Sequence, residues 1–298
     1  MAAATVLALV VGPLSLGLTG LLRSRHVSTH AAMERAPWDG RLTIYSSLLY
    51  ALAFNLIFFL QEVFLVVPKA LTPGLSPTLF HNNHRWDGEH PLATLFQGTG
   101  ALAILLVGLM FVFWLAWRPG RSAAGRLFCI WMAYHGCFQA LQQVVIGSIN
   151  PRNDVGMAMD YFHLAPISKT AAALVALAVI PMIAIRLTPQ LLALAASPER
   201  IDHAGKRARF IFGVATLPAL IGTLLVLPFR VPGHPIEVVI VPVITAAVGI
   251  GWVQASAWCV TQVPWRALHP ARSIWPAFVA LVAVLLLFHL VLRPGIAF

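Results

Sequence analysis

The chain has 298 residues, of which 59% are hydrophobic and only 10% are charged, and its mean hydropathy is +0.82. Soluble domains carry about 25% charged residues, so this composition excludes an aqueous fold and predicts lipid as the solvent. The net charge of +10 does not indicate nucleic acid, because the basic residues fall between apolar runs. We expect one integral membrane domain over residues 1–298, with the lipid bilayer as its partner.

Apolar runs of about 20 residues are long enough to cross the hydrocarbon core of a bilayer. Such runs predict an all-α, polytopic bundle of seven or eight transmembrane helices. In chain order the predicted spans are 3–22, 43–67, 93–117, 127–148, 169–190, 210–229, 237–259 and 274–292.

The loops between these spans differ in their content of basic residues. Of the 20 Lys and Arg residues, 14 fall in one set of loops and the other six in the opposite set. Loops rich in Lys and Arg remain in the cytoplasm. We therefore expect a bacterial inner-membrane protein with both termini facing outward.

The stretch HNNHRWDGEH, residues 81–90, concentrates polar residues between two long apolar runs, on the predicted outer side. His81, His84, Asp87 and His90 supply donors of the kind that bind a divalent zinc, copper or iron ion. No established zinc spacing such as H-E-x-x-H is present. A hydrogen-bonded cap or an interfacial anchor is the alternative interpretation of this stretch.

Other cofactors are less favoured by the sequence. Haem would need two axial histidines at matching depth, and His135 and His289, the only two well inside spans, lie at different depths. A nucleotide is not expected, because the chain has no Gly-rich phosphate-binding loop.

Polar residues inside the spans also require an explanation, because they are costly at membrane depth. Glu62 lies within the apolar stretch FFLQEVFLVV, which predicts a buried carboxylate with a partner. His135, Gln139 and Gln142 follow helical spacing and share one stripe, which is also typical of an interhelical hydrogen-bond zipper. The candidate catalytic residues are Glu62, His135 and Asp154. The candidate substrate-binding residues are Asn55, Gln61, Gln97, Gln139, Gln142, Asn150 and Asp160.

Most of these residues fall in the predicted outer half of the membrane, which leads to a hypothesis about function. We expect a membrane-embedded enzyme, a hydrolase, transferase or oxidoreductase, that acts on a lipid or amphiphile with the assistance of a metal. A proton-coupled transporter or lipid translocase, with Glu62 and His135 as the relay, is the first alternative. A non-catalytic subunit or assembly factor, which docks a membrane-protein partner or a second copy of the chain, is the other.

Overall fold

The computed structural model describes residues 1–27, 38–117, 122–233, 235–263, 265, 267–269 and 273–298. Within these ranges each predicted span coincides with a long helix, so the helical part of the prediction is confirmed. The long helices are α1 (Ala2–Ser24), α2 (Gly40–Ala70), α3 (Gln97–Trp117), α4 (Ala123–Gly147), α6 (Pro166–Leu192), α7 (Ala204–Arg230), α8 (Pro235–Ser256) and α9 (Trp275–Leu292). A short helix, α5 (Asp154–Tyr161), lies between α4 and α6.

In the described part of the chain, seven of these helices are long and apolar enough to cross a membrane, and α4 is the exception. The side chains of His135, Gln139, Gln142 and Gln143 make α4 more polar than its neighbours. It packs against α2, α3, α6 and α8, and every residue over 130–143 is buried. A helix that contacts protein on all sides does not need a surface that matches lipid, so a helix more polar than its neighbours can occupy the centre.

Two of the central helices approach each other closely. A Cβ atom added at Gly108 of α3 would lie 2.5 Å from the backbone nitrogen of Cys137 in α4. Gly136 of α4 meets the backbone of Gly108 in the same way. The absence of side chains at both positions brings the two backbones into contact, as small residues do in membrane helix packing.

A small sheet caps one end of the bundle, where an irregular polar loop was predicted. Strands β1 (Ser76–Leu79) and β2 (His84–Asp87) form an antiparallel hairpin. The C-terminal strand β3 (Ile296–Ala297) pairs with the other edge of β1, so the strand order is β2-β1-β3. The hairpin therefore lies at the end of the bundle where α2 and α9 finish.

Candidate functional site

The centre of the candidate site is a buried pair formed by Glu62 of α2 and His84, the first residue of β2. The Nδ1 atom of His84 lies 2.8 Å from Oε2 of Glu62, and each side chain is only 6% exposed. The other ring nitrogen, Nε2, lies 3.1 Å from Oε1 of Gln97, the first residue of α3. The hairpin thus carries a histidine between the end of one helix and the start of the next.

The hydrogen bonds of His84 are compatible with two protonation states of its ring. With the oxygen of Gln97 facing Nε2, both ring nitrogens would donate and the ring would be an imidazolium paired with the Glu62 carboxylate. Rotation of the Gln97 amide by half a turn would instead present an N–H group to a neutral ring. The site can therefore hold His84 in either protonation state without losing a hydrogen bond.

A lysine and an aromatic ring extend the pair on the hairpin side. Lys69, in the last turn of α2, is fully buried and donates a 2.7 Å hydrogen bond to the backbone oxygen of Leu65. Its Nζ atom lies 4.8 Å from the centre of the Trp86 ring, a cation–π contact. Trp86 in turn stacks on His84, with ring centres 5.9 Å apart and planes 14° apart.

Asp154, at the start of α5, completes the charges of this cluster. Burial, and after it the nearby charge of Glu62, raise the pKa of its carboxyl group to about 6, against the opposing effect of the charges of His84 and Lys69. Two acidic and two basic side chains are therefore within electrostatic reach of one another. Such a set can balance its charge internally, which buried ionic groups require.

We call Glu62, Lys69, His84, Gln97 and Asp154 the hairpin cluster. Four of its members were singled out from the sequence, although His84 was expected as a metal ligand. Lys69 was missed, and so was Trp86 beside it. The position of Lys69 in the last turn of an apolar helix could have indicated it as a site residue. The burial of Lys69, however, depends on a strand that the sequence did not predict.

The predicted metal site is not assembled. Within the described ranges, no group of three or more His, Cys, Asp or Glu side chains could hold a metal ion. His81 and His84, three residues apart, lie on the hairpin turn and on strand β2, and their rings meet different partners. His81 approaches the backbone oxygen of Val231, at 3.2 Å, Asp87 is exposed, and His90 accepts a 3.2 Å hydrogen bond from the backbone of Leu92.

The remaining glutamines of the predicted site hold helices together. Gln61 accepts a 2.8 Å hydrogen bond from Gln143 across the α2–α4 interface, next to the hairpin cluster. Gln142 donates to the hydroxyl of Thr245 in α8 at 2.9 Å. Asn55 donates a hydrogen bond to the backbone oxygen of Ala51 in the same helix, and Gln139 donates one to the backbone oxygen of Phe54 in α2.

His135 occupies a separate environment in the middle of α4. Its ring contacts the rings of Tyr50, Phe54, Trp131 and Tyr134, at centre-to-centre distances of 4.4 to 6.2 Å. Neither ring nitrogen has a hydrogen-bond partner among the described residues. The structure therefore places His135 in an aromatic cage and brings Glu62 together with His84.

An open cleft of about 700 Å³ lies on the surface around α5. It is bordered by the turn that precedes α3 and by α5, the two segments that position Gln97 and Asp154. Its lining residues are Pro91, Thr94, Pro151, Met157, Asp160, Tyr161 and His163. Of the predicted substrate-binding residues, Asp160 lines this cleft and pairs with Lys169, whereas Asn150 accepts a 3.0 Å bond from the backbone of Arg152 in the adjoining loop.

Comparisons with protein-family models, with curated proteins and with solved structures found no match to this chain.

Proposed function

We propose that the protein is an integral membrane enzyme that performs metal-free general acid–base catalysis on an amphiphilic substrate at the hairpin side of the bundle. The observation that carries this proposal is the buried hydrogen bond between Glu62 and His84. A carboxylate that fixes one nitrogen of an imidazole leaves the other nitrogen to take or give a proton, which is the arrangement of a catalytic base and its orienting group.

Each residue of the cluster has a role in this proposal. Glu62 orients the ring of His84 through its hydrogen bond with Nδ1. Gln97 occupies the reactive Nε2 position in the resting enzyme and turns aside when a substrate hydroxyl or a water molecule takes its place. Asp154, with its pKa raised to about 6, is a second proton donor or acceptor at neutral pH.

The cleft around α5 supports an amphiphilic substrate. Its lining combines apolar groups, such as Pro91 and Met157, with polar groups, such as Asp160 and Tyr161. It lies at the end of the bundle, where the polar headgroup of a lipid-like molecule would sit while its chain remained in the hydrocarbon region. The substrate would therefore reach His84 from the edge of the membrane.

The test is an activity assay on the full-length chain in nanodiscs, with fluorescent phospholipid, acylglycerol and acyl-ester substrates. We expect turnover of at least one substrate, lowered about 100-fold or more in His84→Gln, because general acid–base catalysis contributes roughly 10² to 10⁴ in rate. His90→Asn is the matched control, since it lies in the same segment and Asn keeps an acceptor for the backbone of Leu92. Full activity in His84→Gln, or no turnover of any substrate by the unmodified chain, would contradict the proposal.

The orientation of the site is proposed from the distribution of basic residues. We expect the hairpin to face away from the cytoplasm of a bacterial inner membrane. In a Cys259→Ser background, a membrane-impermeant maleimide added to intact cells should label Glu89→Cys, an exposed hairpin-side position, and spare Asp202→Cys, an exposed position between α6 and α7. The reverse labelling pattern would place the site in the cytoplasm.

A proton-coupled transporter is the second candidate, and one contact favours it. The Gln61–Gln143 hydrogen bond continues polar contacts from Glu62 toward the centre of the bundle. The aromatic cage interrupts this route at His135, whose nitrogens bond to no other described residue, so the enzyme is better supported. Proton uptake into liposomes that is abolished by Glu62→Gln, without turnover of any amphiphile, would favour the transporter.

A further inference from the structure

A second polar region lies where the hairpin turn, the end of α7 and the end of α9 meet. Asn82, in the turn, donates hydrogen bonds of 2.8 and 2.7 Å to the backbone oxygens of Arg230 and Pro232. His81 approaches the backbone oxygen of Val231 at 3.2 Å. The turn between β1 and β2 is thus fixed to the chain that leaves α7.

Four basic side chains meet at this junction. The rings of His81 and His289 are 5.5 Å apart, and the charges of Arg230, His289 and Arg293 all act on His81. The guanidinium group of Arg230 lies 4.0 Å from the centre of the Phe58 ring. All of the described charged groups that act on His81 are basic, in contrast to the balanced charges of the hairpin cluster.

The burial of these groups distinguishes the junction from an ordinary basic surface. His81 is 2% exposed and Arg230 is 6% exposed, whereas Arg293 is exposed and opens the junction to its surroundings. The Nδ1 atom of His81 is buried and hydrogen-bonds to no described residue. Burial and the surrounding positive charges together lower the pKa of His81. An anion placed among these groups would relieve their repulsion and supply a partner for Nδ1.

We propose that His81, Arg230, His289 and Arg293 form a binding site for a phosphate group. Arginine and histidine side chains that converge on one point are well suited to a phosphate, whose oxygens accept several charge-assisted hydrogen bonds. This site is distinct from the hairpin cluster and does not depend on the enzymatic proposal.

The surroundings of the junction favour a phospholipid headgroup as the source of the phosphate. His289 and Arg293 lie at the end of α9, and the adjacent residues Leu290 and Val291 are 71% and 51% exposed. An acyl chain could lie along this apolar surface while its phosphate reached the basic groups at the membrane edge. A free phosphate or phosphate ester would use the same basic groups without contacting α9.

The experiment is native mass spectrometry of the full-length chain, purified in detergent and incubated with phosphatidylglycerol or with diacylglycerol, a lipid of the same acyl chains that has no phosphate group. We expect the chain to retain phosphatidylglycerol preferentially, and Arg293→Gln and His289→Gln to lower that retention about tenfold. These two side chains are more exposed than Arg230, so their loss should leave the fold intact. Arg152→Gln, an exposed basic residue at the same end of the bundle, is the matched control and should bind as the unmodified chain does.

Thermal unfolding in the presence of inorganic phosphate distinguishes a phospholipid headgroup from free phosphate as the ligand of this site. A rise in melting temperature that is lost in Arg293→Gln and His289→Gln, without preferential retention of phosphatidylglycerol, would assign the site to free phosphate. Equal retention of both lipids together with no stabilisation by phosphate would overturn the proposal. It would also be overturned if Arg152→Gln lowered the retention of phosphatidylglycerol as much as Arg293→Gln and His289→Gln do.

Discussion

The hairpin cluster and the polar stripe of α4 are two polar regions in one bundle, and they differ in the charge of their side chains and in the partners of those side chains. In the hairpin cluster, Glu62 and His84 form a buried hydrogen-bonded pair within a set of four ionisable groups. In the stripe, the side chains are neutral amides and one histidine, and the amides bond to neighbouring helices. The histidine, His135, lies among aromatic rings.

The difference shows how a bundle of apolar helices accommodates polar groups at its end and in its middle. Charged groups are tolerated where a segment outside the spans can supply a partner, and β2 supplies His84 to Glu62. In the middle of the bundle no loop can reach, so the polar groups are uncharged and their hydrogen bonds hold helices together. We therefore expect chemistry at the hairpin cluster and a structural role for the stripe.

The largest expected effect on stability is at His84. His84→Ala would leave the Glu62 carboxylate buried without its partner, which costs about 3 to 5 kcal/mol in comparable pairs. Chemical unfolding in detergent micelles would measure the loss. The double variant Glu62→Leu with His84→Leu should lose less than His84→Ala, because it removes both charges. Equal losses in the two proteins would show that the pair is not coupled.

A smaller loss of stability is expected for a substitution at the contact between α3 and α4. Gly108→Ala would place a methyl group 2.5 Å from the backbone of Cys137, so the helices must separate, at a cost of about 1 to 3 kcal/mol. Gly125→Ala is the matched control, since nothing lies within 4 Å of its added methyl group. The unfolding free energy of Gly125→Ala should equal or slightly exceed that of the unmodified chain. A loss of the same size at both positions would argue against close packing of the core.

Asp154 should make stability depend on pH. Its pKa is raised from 3.8 to about 6, so the folded chain binds this proton more tightly than the unfolded chain does. The contribution of Asp154 to the free energy of unfolding should therefore be highest below about pH 4, fall as the pH rises to about 6, and remain lower above that.

Asp154→Asn should remove this slope and raise the stability at neutral pH by about 1 to 2 kcal/mol. Unfolding measured across this pH range, with Asp160→Asn as the control, would check the prediction. An unchanged slope in Asp154→Asn would mean that another group titrates.

The smallest effect is expected at His135. His135→Leu removes two unpartnered ring nitrogens from an aromatic cage, so the unfolding free energy should stay the same or rise by about 1 kcal/mol. Turnover should also remain within about twofold of the unmodified chain. A large loss of activity with unchanged stability would assign His135 to the proton route and favour the transporter.

The sequence was sufficient to locate the helices, because a run of apolar residues long enough to span a bilayer leaves few alternatives. It did not predict the hairpin, since the residues from 81 to 90 are mostly polar and one edge of β1 pairs with the distant C-terminal strand. Burial of Glu62 was expected from its apolar neighbours. Its pairing with His84 depends on that hairpin, and the separate environment of His135 depends on how α2 and α4 pack.

The most direct test of the account is a double-mutant cycle on turnover, with Glu62→Gln, His84→Gln and the two combined. Residues that act as one catalytic unit give effects that do not multiply. We therefore predict that each single variant lowers kcat about 100-fold or more and that the double variant is no slower than the slower single variant. Multiplied losses, or full activity in either single variant, would contradict the claim that Glu62 and His84 act together.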